Sequence, residues 1–110
     1  MNKLVEGTHT GEFLISEGNG QISRERVTIV AGPALVPGQL LASAGGGKYK
    51  PYVNKAGGDA VAVLYGGLPQ SDADRDGAGI VRDAEVLTAL LVGIDVDAGT
   101  ALAAKGIILR

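Results

Sequence analysis

Hydrophobic and polar positions are distributed unevenly along the chain. Residues 1–26 are mostly polar or charged and are punctuated by Gly7, Gly11, Gly18 and Gly20. Phe13-Leu14-Ile15 is the apolar run within them. It is too short to make a core, so 1–26 is predicted as an extended N-terminal arm and 27–110 as a β-rich core domain. Residues 27–47 carry no charge at all. Gly32-Pro33 and Pro37-Gly38 break that stretch into runs far short of the ~20 residues a membrane-spanning helix requires. Val27–Ala31 is predicted as a strand, Gln39–Ala42 as a second, and Gly45-Gly46-Gly47 as a turn.

Lys48-Tyr49-Lys50-Pro51-Tyr52-Val53 mixes basic and aromatic residues around a proline, the pattern of an edge strand. Residues 54–58 then form a turn. Ala60–Tyr65 is apolar on both faces and ends at Gly66-Gly67, which predicts a buried central strand. Residues 68–79 read as an acidic loop. From Ile80 to Val92 the period is ambiguous: Leu87, Leu90 and Leu91 fit a helical face, whereas Gly79–Arg82 and Ala84–Val86 fit strands. Asp97 is predicted to cap a short helix through Ala104, with Lys105 in its last turn and Gly106 as its stop. Ile107–Leu109 is a closing strand. The resulting class is α+β, mostly β, with no internal repeat.

Composition sharpens this picture. A chain of 110 residues makes one domain and buries roughly two thirds of its unfolded surface. Gly supplies 18 residues and Ala 15, and Val plus Ile number 18 against 12 Leu. With no Trp and one Phe, the core must be built from small aliphatic side chains. Association with further copies is one way to add what such a core lacks. The absence of Cys excludes a disulfide framework, a thiolate nucleophile and a Cys-based zinc site. A single His excludes a multi-His metal centre. A formal charge of -2 and a pI near 5.2 argue against nucleic-acid binding. No signal peptide or lipidation motif is evident at the N-terminus.

The motif nearest to chemistry is Asp72-Ala73-Asp74-Arg75-Asp76-Gly77, the first half of an EF-hand-like loop, with Asp83 at the closing position. A small calcium-binding module using Asp72, Asp74, Asp76 and Asp83 is therefore the alternative reading of function. Asp is shorter than the usual closing Glu, Gly79 replaces the usual apolar residue, and Pro69 stands in the entering helix. An acidic surface loop explains the stretch better. Gly45-Gly46-Gly47-Lys48 lacks the early Gly and the hydroxyl residue of a phosphate loop, and reads as a turn. His9 lies in the arm without an orienting acid. Lys48, Tyr49, Lys50 and Tyr52 suit an edge strand better than base stacking. No catalytic residue, metal site or cofactor is expected.

The order and spacing of several segments carry a resemblance. Gly11-Glu12-Phe13-Leu14-Ile15-Ser16-Glu17, then Asn19-Gly20 and Ile22-Ser23-Arg24-Glu25, are followed by Val27–Val30 and Pro37–Ala42. Gly47-Lys48-Tyr49, Pro51-Tyr52, Asp59–Leu64 and Val81–Val86 continue the pattern over nearly the whole chain. Together they resemble the bacteriophage head decoration protein family of the lambda D-protein type. The resemblance implies a small β-rich, β-tulip-like fold with a short C-terminal helix, and a non-enzymatic homotrimer on the outer surface of the virion capsid. Made in the host cytoplasm, such proteins cement neighbouring major capsid protein subunits of the expanded head. They make no direct contact with nucleic acid or membrane. Carried over by position, the capsid-binding arm comprises Glu12, Phe13, Leu14, Ile15 and Ser16 as an added strand, with Ser23, Arg24 and Glu25 near the junction of arm and core.

Overall fold

A computed structural model describes residues 14–17, 23–53 and 58–110. Five strands close into a barrel: β2 (Arg24–Ile29), β3 (Leu40–Gly45), β4 (Lys48–Pro51), β5 (Ala60–Leu64) and β6 (Arg75–Ile80), in the order β2-β4-β3-β5-β6. A separate sheet of three strands has the order β1-β7-β8, from β1 (Leu14–Glu17), β7 (Ala84–Val86) and β8 (Ile107–Leu109). The helix α1 (Val96–Ala103) packs beside β8 and β5. A 3-10 turn spans Thr88–Leu90.

Alternation along the strands sorts the apolar side chains into two cores. Val27, Ile29, Leu35, Leu41, Ala62 and Leu64 fill the barrel. Their neighbours of opposite parity, Leu40, Ala42 and Val63, face outward, where they meet Ala84, Val86, Ala98, Leu102 and Ile107. β3 and β5 are thus buried on both faces at their apolar ends, which is why 60–65 reads as a continuous apolar run. A five-stranded barrel is narrow, and small aliphatic residues suffice to fill it.

The barrel closes through a parallel seam. β2 pairs with β6 along its whole length, but with β4 through only Thr28↔Lys48 and Ile29↔Tyr49. In a parallel ladder the next bond would run from the residue 51 N–H to the Val30 carbonyl. Pro51 has no N–H to give. Arg75 takes its place: its Nη2 donates to the Val30 carbonyl at 2.8 Å. Its Nη1 donates to the carbonyls of Pro33 at 2.8 Å and Pro69 at 3.0 Å. Arg75 is 7% exposed, and its guanidinium ties three chain segments together.

Several expectations hold in outline and shift in detail. Lys48–Pro51 is a strand but not an edge: β3 lies on one side and β2 on the other. The proline is tolerated because its nitrogen points away from β3, where Tyr52 N–H and not Pro51 supplies the bond to Leu40 at 2.9 Å. The acidic stretch 68–79 is only partly loop. Leu68 and Ser71 bridge to Leu35 and Gly32, and Arg75–Ile80 is β6. Its glycines and Asp76 hide the strand from propensity, and the packing there is close: a Cβ on Gly77 would lie 3.3 Å from a Leu68 methyl group. Between Ile80 and Val92 the strand reading holds for Ala84–Val86, and the Leu-rich part forms the 3-10 turn. The helix is capped by Asp95 rather than Asp97, and ends at Ala103, before Lys105. Gly46-Gly47 forms the β3–β4 turn with both φ positive, the geometry of a two-residue hairpin loop. Arg24, Glu25 and Arg26, assigned by sequence to the arm, open β2. Their polarity reflects outward-facing or rim positions rather than lack of structure. No helix among the described residues is long and apolar enough to cross a membrane.

Two substitutions test this architecture. Arg75→Met removes the donor from three part-buried carbonyls and should lower stability by about 2 kcal/mol in urea unfolding, with Arg75→Lys recovering only part. Gly38 has φ +93, and a Cβ there would meet the Leu90 carbonyl oxygen at 2.5 Å. Gly38→Ala should therefore cost about 2 kcal/mol, read as a lowered melting transition.

Candidate functional site

Two surface features contain residues singled out from the sequence. The first is β1. It lies at the edge of the small sheet, antiparallel to β7, with Leu14↔Val86, Ser16↔Glu85 and Glu17↔Ala84 opposed. Leu14 packs against the outer core, whereas Ile15 is 45% exposed. Glu12 and Phe13 lie outside the described residues. Free backbone groups on an edge strand are the physical requirement for adding a strand from another chain.

The second feature is a shallow groove of about 270 Å³ on the barrel wall, lined by Arg24, Glu25, Arg26, Tyr65, Gly77 and Ala78. Gly77 and Ala78 are small and leave the floor low. The Arg24 guanidinium stacks over the Tyr65 ring at 4.2 Å from its centroid, which holds a long cationic side chain in place. Glu25 is ion-paired with Arg82, and Arg26 with Asp76 at 3.6 Å. Arg24 and Glu25, expected near the junction of arm and core, both line this groove. Tyr65 and Arg26, not singled out from the sequence, line it too; the register that sets Arg26 opposite Ala78 comes only from the β2–β6 pairing.

Ser23 is placed differently from its neighbours. It is fully buried, and its hydroxyl donates to the Asp83 carbonyl at 2.7 Å. It stands between arm and barrel as an anchor, not on the surface.

The four carboxylates of the EF-hand-like motif do not converge. Asp72 accepts from Gln70 Nε2 at 3.1 Å. Asp74 is paired with Lys48 Nζ at 2.6 Å and accepts the Ala31 N–H at 3.3 Å. The hydrogen bond to Lys48 holds the Asp74 carboxyl below its ordinary value, with burial opposing. Asp76 sits on β6 beside Arg26, and Asp83 adopts a left-handed backbone beyond the strand's far end. Among the described residues, no group of three His, Cys, Asp or Glu is arranged to hold a metal ion. The strand through Arg75–Ile80 replaces the wrapped loop that calcium would need. The sequence alternative is corrected accordingly.

A larger hollow, about 420 Å³, lies beside α1 and is lined by Tyr52, Gly58, Asp59, Asp97, Thr100 and Ala101. The Tyr52 hydroxyl donates to both Asp95 oxygens, at 3.1 and 3.2 Å. The same carboxylate accepts the Ala98 N–H at 2.7 Å and so caps the helix. Burial raises the Tyr52 pKa above 10.0; the hydrogen bond to Asp95 and the charges of Asp95, Asp97 and Asp59 add to the shift.

An edge strand on the small sheet and a shallow groove on the barrel wall are the surface features of a small β-rich protein. The chain belongs to the bacteriophage lambda head decoration protein D family, whose model matches residues 3–107. No individual curated protein and no solved structure gives a significant match. Membership makes the chain a structural component of the phage head, associated with the capsid of the virion.

The raised Tyr52 pKa fixes the sign of a pH effect. The neutral phenol is favoured in the folded state, so its contribution is complete below pH 10.0 and is lost as pH rises through the higher folded value. Tyr52→Phe should be less stable near neutrality, and should lose less stability than the parent between pH 10.0 and the folded value, as followed by thermal melts.

Proposed function

We propose that the chain is a cement protein that binds the outside of the expanded head as a trimer and staples neighbouring major capsid subunits against the pressure of packaged DNA. The observation that carries this reading is the position of β1. It belongs to the small sheet and not to the barrel, and it sits where the backbone meets solvent beside the exposed Ile15. The segment Glu12–Ser16 acts as the strand that joins a capsid-protein sheet, gaining backbone partners and side-chain pockets. Arg24 and Glu25, in the groove at the start of β2, form a secondary contact. Ser23 acts through its anchor rather than by touching the capsid.

The energetics favour three arms over one. Burying Phe13, Leu14 and Ile15 contributes roughly 1.5–3 kcal/mol each. Ordering the backbone takes back about 1–2 kcal/mol per residue. A single arm is then marginal. Three identical arms on one trimer act together, the second and third at an effective concentration on the order of mM. Cyclic closure gives each protomer the same surface toward its neighbours and leaves an identical arm on each. The role is structural, and it uses neither catalysis nor a bound metal. In this reading the arm ends at Ser23, and everything after it is core.

Deletion of residues 1–16 should abolish binding to undecorated expanded heads. Because Leu14 packs on the outer core, the deletion should also lower stability by about 1–2 kcal/mol while leaving a cooperative transition. Replacing Phe13 and Ile15 by Asp should abolish binding with a smaller effect on melting, because Ile15 is exposed. Full-occupancy decoration by the truncated protein, counted on heads by cryo-electron microscopy, would transfer the binding role to the barrel.

A further inference from the structure

We infer that β1 is a parked strand, held on β7 in the free protein and released from it, about an anchor at Ser23, to pair with an extended strand of the capsid protein. The inference rests on the cement reading above and adds how its strand is kept and let go. Four features support it. β1 pairs with β7 alone, and without it β7 still pairs with β8 through Ala84↔Ile107, Glu85↔Ile108 and Val86↔Leu109. Its register on β7 shifts between Leu14 and Ser16. An irregularity of that kind twists an edge strand and obstructs addition of a further strand to its outer side. The edge of β1 is therefore open but irregular on β7, and leaving β7 frees it to pair regularly with a capsid strand.

The chain also leaves β7 and is fixed again at nearly the same point. Glu17 lies opposite Ala84, and Ser23 bonds the carbonyl of Asp83 at 2.7 Å. The Ser23 carbonyl accepts the Val81 N–H at 2.9 Å, continuing the β2–β6 ladder. β1 can thus leave β7 without disturbing the barrel. Finally, little is forfeited on release: Leu14 is only partly buried, and Ile15 has nothing to lose on its exposed side. Parking gives the strand a partner and hides its edge from other chains until the capsid offers a better one.

The chain has no Cys, so a cross-strand pair can lock β1 without competing thiols. Glu17→Cys with Ala84→Cys joins residues that lie opposite each other, just outside the capsid-binding segment Glu12–Ser16. Glu17→Ser with Ala84→Ser is the control that carries the substitutions without the lock. Each variant is mixed, under oxidising and reducing conditions, with undecorated expanded heads of the phage that carries the gene. The expected result is an occupancy at least about tenfold lower for the oxidised form, restored by reductant, with the melting transition retained or raised. Equal occupancy of oxidised and reduced forms would show that β1 never leaves β7, and would overturn the inference while leaving the cement reading intact. Failure of the unmodified protein to bind would overturn the cement reading itself, and the inference with it.

Discussion

The guanidinium of Arg75 closes the barrel. β2 and β4 run parallel through only two residue pairs, and the ladder between them stops at a residue that cannot donate, Pro51. A carbonyl shielded from water and left without a donor is costly, and Arg75 supplies donors to three part-buried carbonyls at once. It also draws the segment 30–33 toward Pro69, where the bridges Gly32↔Ser71 and Leu35↔Leu68 extend the pairing past the strand ends. The cation needs no carboxylate beside it, because peptide oxygens carry enough negative charge when several converge.

From that closure follows the division between rigid and detachable parts. A closed barrel has no edges of its own, so strand addition has to be offered elsewhere. The small sheet offers it. β7 and β8 are bound to the barrel through the shared outer core, where Val86, Leu102 and Ile107 meet Leu40 and Val63. β1 adds only Leu14 to that core. Ser23, buried beside the left-handed Asp83, marks where one regime changes into the other. Gly106 has φ +81 and packs so close that a Cβ there would come within 2.8 Å of Asp83, which holds the helix exit against the same joint.

The acidic residues show how local pairing dissolves an apparent motif. Asp74 serves Lys48 and the Ala31 N–H, Asp76 serves Arg26, and Asp95 serves the helix N-terminus and Tyr52. Each carboxylate is spent on a partner from a different part of the chain. Their regular spacing in sequence has no counterpart in space: Asp72 and Asp74 precede β6, Asp76 lies on it, and Asp83 lies beyond its far end, so no loop wraps the four around one point.

The sequence by itself determined the class and the buried strand. An uninterrupted apolar run between turn residues can satisfy itself only between two layers, so 60–65 was legible, as were the closing strand 107–109 and the glycine stop before it. The order of conserved-looking segments also pointed to the family, which matches residues 3–107. Only tertiary structure decided the rest. Lys48–Pro51 looks like an edge because its residues are polar and one is proline, yet a buried guanidinium from Arg75, distant in sequence, lets it sit inside the barrel. Arg75–Ile80 looks like a loop because glycine and aspartate disfavour strands, yet β2 pairs along all of it and Leu68 needs the space above Gly77. Asp95 rather than Asp97 caps the helix because Tyr52, from β4's end, fixes that carboxylate. Ser23 was expected near the junction of arm and core, and its burial there comes with a hydrogen bond to Asp83, which lies far along the chain. In each case the deciding partner is remote in sequence, and periodicity within a window contains no information about it.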